Sequence, residues 1–244
     1  MGSSIFIGTS GWFYQHWRGI FYPDDMKPDK WLTYYSKFFN TVENNSSFYH
    51  LPKESTIKRW HKKVGDNFLY AVKIWRRITH YQKLVDIKEP LKIFIDRISL
   101  LGNSLGVLLA QFPPSMKKDL TLLENFIKLL PKDMKCAFEF RNKSWIDQEV
   151  VDLLKAYNQP FCIADSARYY SDVIVTSDLV YIRFHGPGSL YSSSYNTEQL
   201  KIWATKIKAW RNEKRIILAY FNNDFNGYAV KNAMELMDLI KKSE

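Results

Sequence analysis

The sequence is poor in cysteine, and this limits the kinds of protein that it can encode. Two cysteines occur among 244 residues, Cys136 and Cys162, and each lies inside an apolar run. Two thiols cannot build a framework of several disulfides or supply the four ligands of a cysteine zinc site. We therefore interpret both side chains as buried thiols of a reduced, cytosolic protein.

Long hydrophobic segments are also missing. No run approaches the ~18 apolar residues that a membrane-spanning helix needs. The start of the chain, MGSSIFIGTSGW, has neither the basic residues nor the apolar core of a secretory signal. The sequence thus predicts a cytoplasmic protein that does not cross a membrane.

Glycine-rich phosphate-binding loops do not occur either. Neither a GxGxxG motif nor a P-loop is present, which disfavours the doubly wound open sheet of dinucleotide-binding proteins. Because no linker or low-complexity segment divides the chain, we expect a single domain over residues 1–244.

Acidic residues are outnumbered by basic ones. The 35 lysines and arginines exceed the 25 aspartates and glutamates, so the formal net charge is +10 and the pI is about 9.4. A basic protein favours anionic partners such as nucleic acid or phosphorylated metabolites. The lysines are spread over amphipathic helical patterns, however, and solvated helix faces account for most of them.

Eight apolar runs rich in β-branched residues recur along the chain, and helical patterns lie between most of them. The runs start about 30 residues apart on average, the length of one strand–helix unit. Eight such units predict an α/β fold of the (β/α)8 TIM-barrel-like type. Only 14 residues separate 165 from 180, so we expect a short sixth helix. The predicted strands are 5–9, 41–45, 68–73, 105–112, 135–140, 161–165, 180–185 and 215–221.

Start and stop signals mark several of the helical patterns. Asn196 or Thr197 can cap the penultimate helix, with Gln199 in its first turn. Gly102 is a signal for the C-terminal cap of the helix that precedes the fourth strand.

Polar or ionisable residues stand at the end of every predicted strand. In a barrel of this kind the carboxyl ends of the strands carry the active site, so these residues form the candidate site. The candidate catalytic residues are Glu43, Lys73, Glu139, Asp165 and His185. The candidate substrate-binding residues are Trp12, Asn45, Tyr49, His80, Gln111, Arg141, Arg183, Asn222 and Asn223.

Strand alternation supports the placement of these residues. Tyr181, Arg183 and His185 share one face of their strand, and Glu139 shares a face with Arg141. Charges turned toward the covering helices would lose their hydration, so we expect both faces to point into the barrel.

Several motifs resemble the domain-of-unknown-function 72 (YecE-like) family. In chain order they are GTSGWFYQHWRGIFYP at 8–23, VENNSSFY at 42–49, FLYAVKIWRRITH at 68–80, LLAQFPPS at 108–115, AFEFRNKSW at 137–145, YIRFHG at 181–186 and YFNND at 220–224. The resemblance runs from end to end and implies a TIM-barrel-like fold, but it supplies no activity. One departure is Asn44, which stands where the family usually has an apolar residue, on the face opposite Glu43 and Asn45.

Three interpretations of the pocket are open. In the first, the protein is an enzyme that acts on a small anionic substrate by acid–base chemistry, as a hydrolase or an isomerase. Arg141 and Arg183 would grip a phosphate or carboxylate, and Glu139 or His185 would transfer protons. In the second, Glu139, Asp165 and His185 bind a divalent ion for phosphodiester cleavage on nucleic acid. In the third, the protein binds RNA or DNA without catalysis. The sequence by itself identifies no cofactor.

Two polar segments rich in tyrosine, 166–178 and 186–196, follow the sixth and seventh predicted strands. Each is a candidate lid over a substrate or an ordinary surface loop. His16, His50 and His61 lie among aromatic residues and are interpreted as ordinary surface or core residues.

Overall fold

The computed structural model describes residues 4–65, 67–166 and 173–242, and strands alternate with helices along most of this length. The strands are β1 (Ile5–Thr9), β2 (Thr41–Asn44), β3 (Leu69–Lys73), β4 (Leu105–Phe112), β5 (Cys136–Phe140), β6 (Cys162–Ser166), β7 (Leu179–Gly186) and β8 (Ile216–Phe221). The α-helices are α1 (Trp31–Tyr35), α2 (Ser46–Tyr49), α3 (Glu54–Lys62), α4 (Lys88–Ile98), α5 (Leu120–Leu129), α6 (Gln148–Ala156), α7 (Thr197–Asn212) and α8 (Tyr228–Lys241).

The chain divides into two compact units. The first consists of Met1–Glu43, Ile163–Asp172 and Asp178–Glu244, and the second of Asn44–Cys162 and Val173–Ser177. The strands form two four-stranded sheets, in the orders β1-β8-β7-β6 and β2-β3-β4-β5. The pairs β1–β8, β7–β8, β3–β4 and β4–β5 are parallel.

Burial on both faces explains why the sequences of the strands are nearly continuous apolar runs. All eight residues of β7 and all four of β2 are buried, as expected for parallel strands that are covered on both sides. Every observed strand lies within one residue of its predicted bounds at each end.

A close backbone approach in the first unit explains one glycine of β1. A Cβ on Gly8 would collide with the carbonyl oxygen of Thr41 and lie 2.9 Å from the Tyr35 hydroxyl. That hydroxyl accepts from the backbone N–H of Thr9 at 2.9 Å and donates to the Thr41 carbonyl at 3.1 Å. Tyr35 therefore ties the end of β1 to the start of β2, next to Glu43.

Side-chain caps begin three of the helices. Asp119 and Asp147 accept backbone N–H groups at the starts of α5 and α6. Asn196 and Gln199 form a capping box at α7, which confirms Asn196 as the predicted cap. Gly102, with φ 55°, lies in the 3-10 turn Ser99–Ser104 that follows α4, beyond the end of the α-helix at Ile98.

The predicted α/β class and parallel pairing are confirmed. Over the described residues the strands form two sheets of four, so closure into a (β/α)8 barrel stays a prediction, as does a single domain over 1–244. In the region of the predicted short sixth helix, residues 167–172 lie outside the described residues and 173–178 contain no helix.

No helix within the described ranges combines the length and the apolar character that a membrane crossing requires.

Candidate functional site

Two clusters of polar side chains contain half of the fourteen predicted site residues, and each lies within one unit. The second unit holds the Lys73 cluster, which we define as Lys73, His80, Gln111, Glu139 and Arg141. The first unit holds the Glu43 cluster, defined as Ser10, Glu43, Tyr181 and Arg183.

The Lys73 cluster is built from the carboxyl ends of three neighbouring strands. Lys73 is the last residue of β3, while Gln111 of β4 and Glu139 of β5 are register partners. The Lys73 ammonium group donates to Oε1 of Gln111 at 2.7 Å. It also lies 4.1 Å from the ring centre of Phe48, a favourable cation–π contact.

The same cluster contains a buried ion pair. The guanidinium group of Arg141 contacts the carboxylate of Glu139, and the two side chains are 5% and 0% exposed. Glu139 lies on β5 itself, whereas Arg141 lies in the turn that follows this strand. This arrangement agrees with the predicted shared face of Glu139 and Arg141.

His80 is the titratable group of this cluster that stays in part accessible to solvent. It lies in the π-helical turn Arg77–Tyr81, its Nδ1 is 2.9 Å from the Thr79 hydroxyl, and its ring meets Phe48 edge-on at 4.8 Å. Burial, and then the positive charges of Lys73, Arg141 and Arg76, lower the pKa of His80 to about 4. The imidazole is therefore neutral at pH 7 in an electropositive environment.

Exposed aromatic rings surround Arg76 next to this histidine. Tyr49 and Tyr81 are 54% and 66% exposed. The Arg76 guanidinium lies 5.7 Å from the ring centre of Tyr49 and 5.3 Å from that of Tyr81. Tyr49 was predicted from the sequence as a binding residue, whereas Arg76 was not, because it follows the strand by three residues and has no strand periodicity.

The turn after β2 explains the departure from the family pattern at Asn44. The Asn44 Oδ1 accepts from the backbone N–H and the hydroxyl of Ser46 at 3.0 and 2.8 Å, and from the N–H of Ser47 at 3.3 Å. It thereby organises the short helix α2, and the neighbouring Asn45 is half-buried at the cap position of that helix.

In the first unit, three donors converge on the buried carboxylate of Glu43. Oε1 accepts from the Ser10 hydroxyl and from the Arg183 guanidinium, and Oε2 accepts from the Tyr181 hydroxyl, each at 2.7 Å. Burial alone would raise the pKa of Glu43, but Arg183, Tyr181 and Ser10 outweigh it and lower that pKa below its usual range. Glu43 is 0% and Arg183 2% exposed, so the ion pair at the centre of this cluster is buried.

His185 continues the same face of β7 beyond Arg183. It is fully buried, its Nδ1 lies 3.2 Å from the Asn222 side-chain nitrogen, and the Tyr191 ring meets it edge-on at 5.3 Å. The backbone N–H of Tyr191 also donates to the His185 carbonyl at 2.6 Å. The structure thus brings His185 and Asn222 together, as the strand ends predicted.

Asp165 lies on the helix side of its sheet, away from the face that carries His185. Its carboxylate accepts from the indole N–H of Trp203 on α7 at 2.7 Å, and Trp203 packs against Phe184, which alternates with His185 along β7. Burial raises the pKa of Asp165. The sequence predicted that Asp165 and His185 line one pocket, but the structure places their side chains on opposite faces of the sheet.

Asn223 and Trp12, two other predicted binding residues, form hydrogen bonds within the protein. Asn223 is fully buried and donates to the Ser193 carbonyl and to the Asn232 side chain, each at 2.9 Å. Trp12 is 8% exposed, and its carbonyl accepts from the Tyr22 hydroxyl at 2.6 Å.

Sequence reasoning missed an acid–base pair at the surface of the first unit. His16 is 2.9 Å from the Asp224 carboxylate, which also accepts from the indole N–H of Trp17 at 2.8 Å. Burial raises the pKa of Asp224 to about 6. The partners are 208 residues apart, so only the fold could reveal the pairing.

Side chains that could bind a metal ion do not cluster in the described structure. Among residues 4–65, 67–166 and 173–242, no group of three or more His, Cys, Asp or Glu side chains could hold an ion. The described residues therefore offer no ligand set for the metal-assisted interpretation.

Comparison with known proteins gives consistent matches over nearly the whole chain. Residues 6–244 match the family described as "Protein of unknown function DUF72". The chain is 26% identical to UPF0759 protein YunF of Bacillus subtilis, over 97% of this chain and 94% of that protein, and 24% identical to UPF0759 protein YecE of Escherichia coli, over 84% and 82%. The crystal structure of a DUF72 family protein from Thermotoga maritima matches with a TM-score of 0.86 and 28% identity, over 97% of this chain and 99% of that one.

Proposed function

The chain belongs to the DUF72 family, whose function is unknown, and from that premise we propose that it is an enzyme that acts on a small anionic substrate by acid–base chemistry. The Lys73 cluster is the proposed site, at the carboxyl ends of β3, β4 and β5, where a barrel of the (β/α)8 type carries its active site. Hydrolysis and isomerisation of a phosphate- or carboxylate-bearing substrate are the reaction classes that fit it.

One observation carries this proposal: an accessible imidazole lies among three cations. After burial, which has the largest effect, the charges of Lys73, Arg141 and Arg76 lower the pKa of His80, although Glu139 is in contact with Arg141. An anion beside His80 would be attracted by the same charges. Phe48 and Tyr49 flank the position and can pack against the apolar part of a substrate.

The proposed roles follow from the positions of these side chains. Lys73 and Arg76 bind the anionic group, and Glu139 holds the Arg141 guanidinium in place. His80 is the proton-transfer group, because a bound anion offsets the neighbouring positive charges and so raises the pKa of His80, although the lowering by burial remains. The imidazole would thus become an effective acid–base catalyst in the complex.

Titration of His80 by NMR, with and without inorganic phosphate, tests the proposal. We expect the pKa of His80 to rise from about 4 by roughly 1–3 units when phosphate is bound. The resonance is assigned with His80→Gln. Arg76→Gln should weaken phosphate binding, whereas Arg77→Gln, a change of the exposed neighbouring arginine, should leave it intact.

Two results would contradict this function. One is a His80 pKa that does not respond to saturating phosphate, and the other is equal phosphate binding by the Arg76 and Arg77 variants. Once a substrate is found, Glu139→Gln should lower turnover, and full activity in a folded variant would exclude a role for Glu139.

A second candidate function is binding of single-stranded nucleic acid without catalysis. The specific observation in its favour is the pair of exposed rings, Tyr49 and Tyr81, around Arg76. Bases stack on exposed aromatic rings, and basic side chains hold the backbone. This function predicts steeply salt-dependent binding of an oligonucleotide that Tyr49→Ala and Tyr81→Ala weaken and Glu139→Gln does not.

A further inference from the structure

A groove with an apolar floor opens at the amino end of β1 in the first unit. Its volume is about 570 Å³, which is within the range of small-molecule sites. Phe38 is 39% exposed at its edge. The apolar residues that line it are Ile5, Ile7, Phe38, Phe39, Met237 and Ile240.

Basic side chains surround this floor. Lys37, Arg211 and Lys241 line the groove, and no aspartate or glutamate is among its described lining residues. In the part of the chain that the structure describes, neither Lys37 nor Lys241 makes a salt bridge. The groove therefore combines an accessible apolar surface with an excess of positive charge.

Helix dipoles explain part of this charge but not the whole site. Lys37 follows α1 by two residues, and Arg211 and Lys241 are in the last turns of α7 and α8. Basic residues commonly offset the partial negative charge of such helix ends, which is about half a unit per helix. The dipoles give no reason for an open apolar floor between these basic side chains.

We propose that this groove binds a monomeric anionic amphiphile, a hydrocarbon chain that ends in a carboxylate. The chain would lie on Ile5, Phe38 and Met237, and the carboxylate would lie among Lys37, Arg211 and Lys241. Ser4, Ser36 and Asn40 also line the groove. This site does not depend on the proposed enzymatic function, because none of its residues belongs to the Lys73 cluster.

Calorimetric titration with decanoate, below the concentration at which it forms micelles, is the primary test. Decanoate should bind more tightly than decanol, which lacks the charge, and acetate, which lacks the chain, should not bind measurably. Shortening the ligand to octanoate should weaken binding by about tenfold, because two fewer methylene groups are buried.

Paired lysine variants locate the site. Lys37→Gln and Lys241→Gln should each weaken decanoate binding by about two- to fivefold, the range for exposed charge pairs, and leave decanol binding unchanged. The matched control is Lys242→Gln, which changes an exposed lysine next to Lys241 that does not line the groove.

Three outcomes would overturn the inference. They are equal binding of decanoate and decanol, equal losses in the Lys241 and Lys242 variants, and no decanoate binding by a protein that sediments with vesicles of anionic phospholipid. The last result would assign the basic residues to a membrane surface and leave the groove without a monomeric ligand.

Discussion

The negative charge of Glu43 is stabilised by the three other residues of its cluster. The carboxylate is 0% exposed and accepts from Arg183, Tyr181 and Ser10, each at 2.7 Å. A buried charge without such donors would be strongly unfavourable, and here all three donors are themselves buried. The geometry favours a structural role, in which Glu43 fixes the position of Arg183 on β7.

Replacement of Glu43 by glutamine should therefore destabilise the protein. We expect Glu43→Gln to lower the free energy of unfolding by about 3–5 kcal/mol at pH 7, because Arg183 is left buried without its counter-charge. Urea unfolding measures the difference. Glu198→Gln, which changes an exposed glutamate of α7, should have little effect.

The same variant has a defined pH dependence. The folded pKa of Glu43 is lowered, while the unfolded value is about 4.3. The stabilisation from ionised Glu43 is thus complete above about pH 4.3 and is lost as the pH falls through the folded pKa. The stability gap between wild type and Glu43→Gln should narrow in acid, and a gap that is constant with pH would contradict the assignment.

Residue types alone could not tell Asp165 from Glu139. Both stand one residue before the end of a strand. Strand β6 is buried on both faces, so its sequence has no alternation that identifies the helix side. The Trp203 contact, made by a residue 38 positions later, decides the direction of Asp165.

At the scale of elements, one side chain of α8 forms several hydrogen bonds that anchor the segment after β7. Asn232 is fully buried, its Oδ1 accepts from the N–H of Tyr195 and from Asn223 Nδ2, and its Nδ2 donates to the Tyr195 carbonyl. Ser193 adds contacts with Gly188 and Ser189 within the segment. These bonds tie the candidate lid to α8 and to the turn that follows β8.

Removal of that anchor should loosen the segment. We expect Asn232→Ala to leave buried groups of Tyr195 and Asn223 without a partner, to cost about 1–3 kcal/mol, and to speed hydrogen exchange in peptides that cover 186–196. Mass spectrometry of deuterium uptake measures this. Lys231→Ala, on the exposed neighbouring position, is the control, and equal uptake in both variants would refute the anchoring role.

All eight strands were predictable from their apolar runs, whereas the shortest helices were not. The run at 105–112 matches β4, and α7 begins at the predicted cap, because both elements have enough residues to show their burial. The four-residue helix α2 was missed, because it depends on the side chain of Asn44 rather than on a period. The π-helical turn that carries His80 has no sequence signal of its own.

At the scale of the whole molecule, the two thiols report on unfolding. Cys136 and Cys162 are free, as predicted, and are 0% and 1% exposed. Burial raises the pKa of Cys136, which further reduces its reactivity. We expect neither thiol to react with Ellman's reagent in native protein and both to react in concentrated urea. Immediate reaction of one thiol under native conditions, assigned with Cys→Ala variants, would contradict the buried placement.

The overall class was predictable because it depends on the number and spacing of apolar runs. The grouping of the polar residues into clusters was not predictable, because it depends on contacts such as the one between Arg183 and Glu43, which are 140 residues apart in the chain. Sheet closure has the same character, since it depends on which distant strands become neighbours.

The π-helical turn Arg77–Tyr81 has a consequence for how relatives of this protein can diverge. Such a turn holds one residue more than an α-helical turn of the same span. Loss of a single residue there would rotate the side chains beyond it by about 100° and carry His80 and Tyr81 away from Phe48 and Arg76. The insertion or deletion of one residue at this point would therefore rearrange the proposed site in a single step.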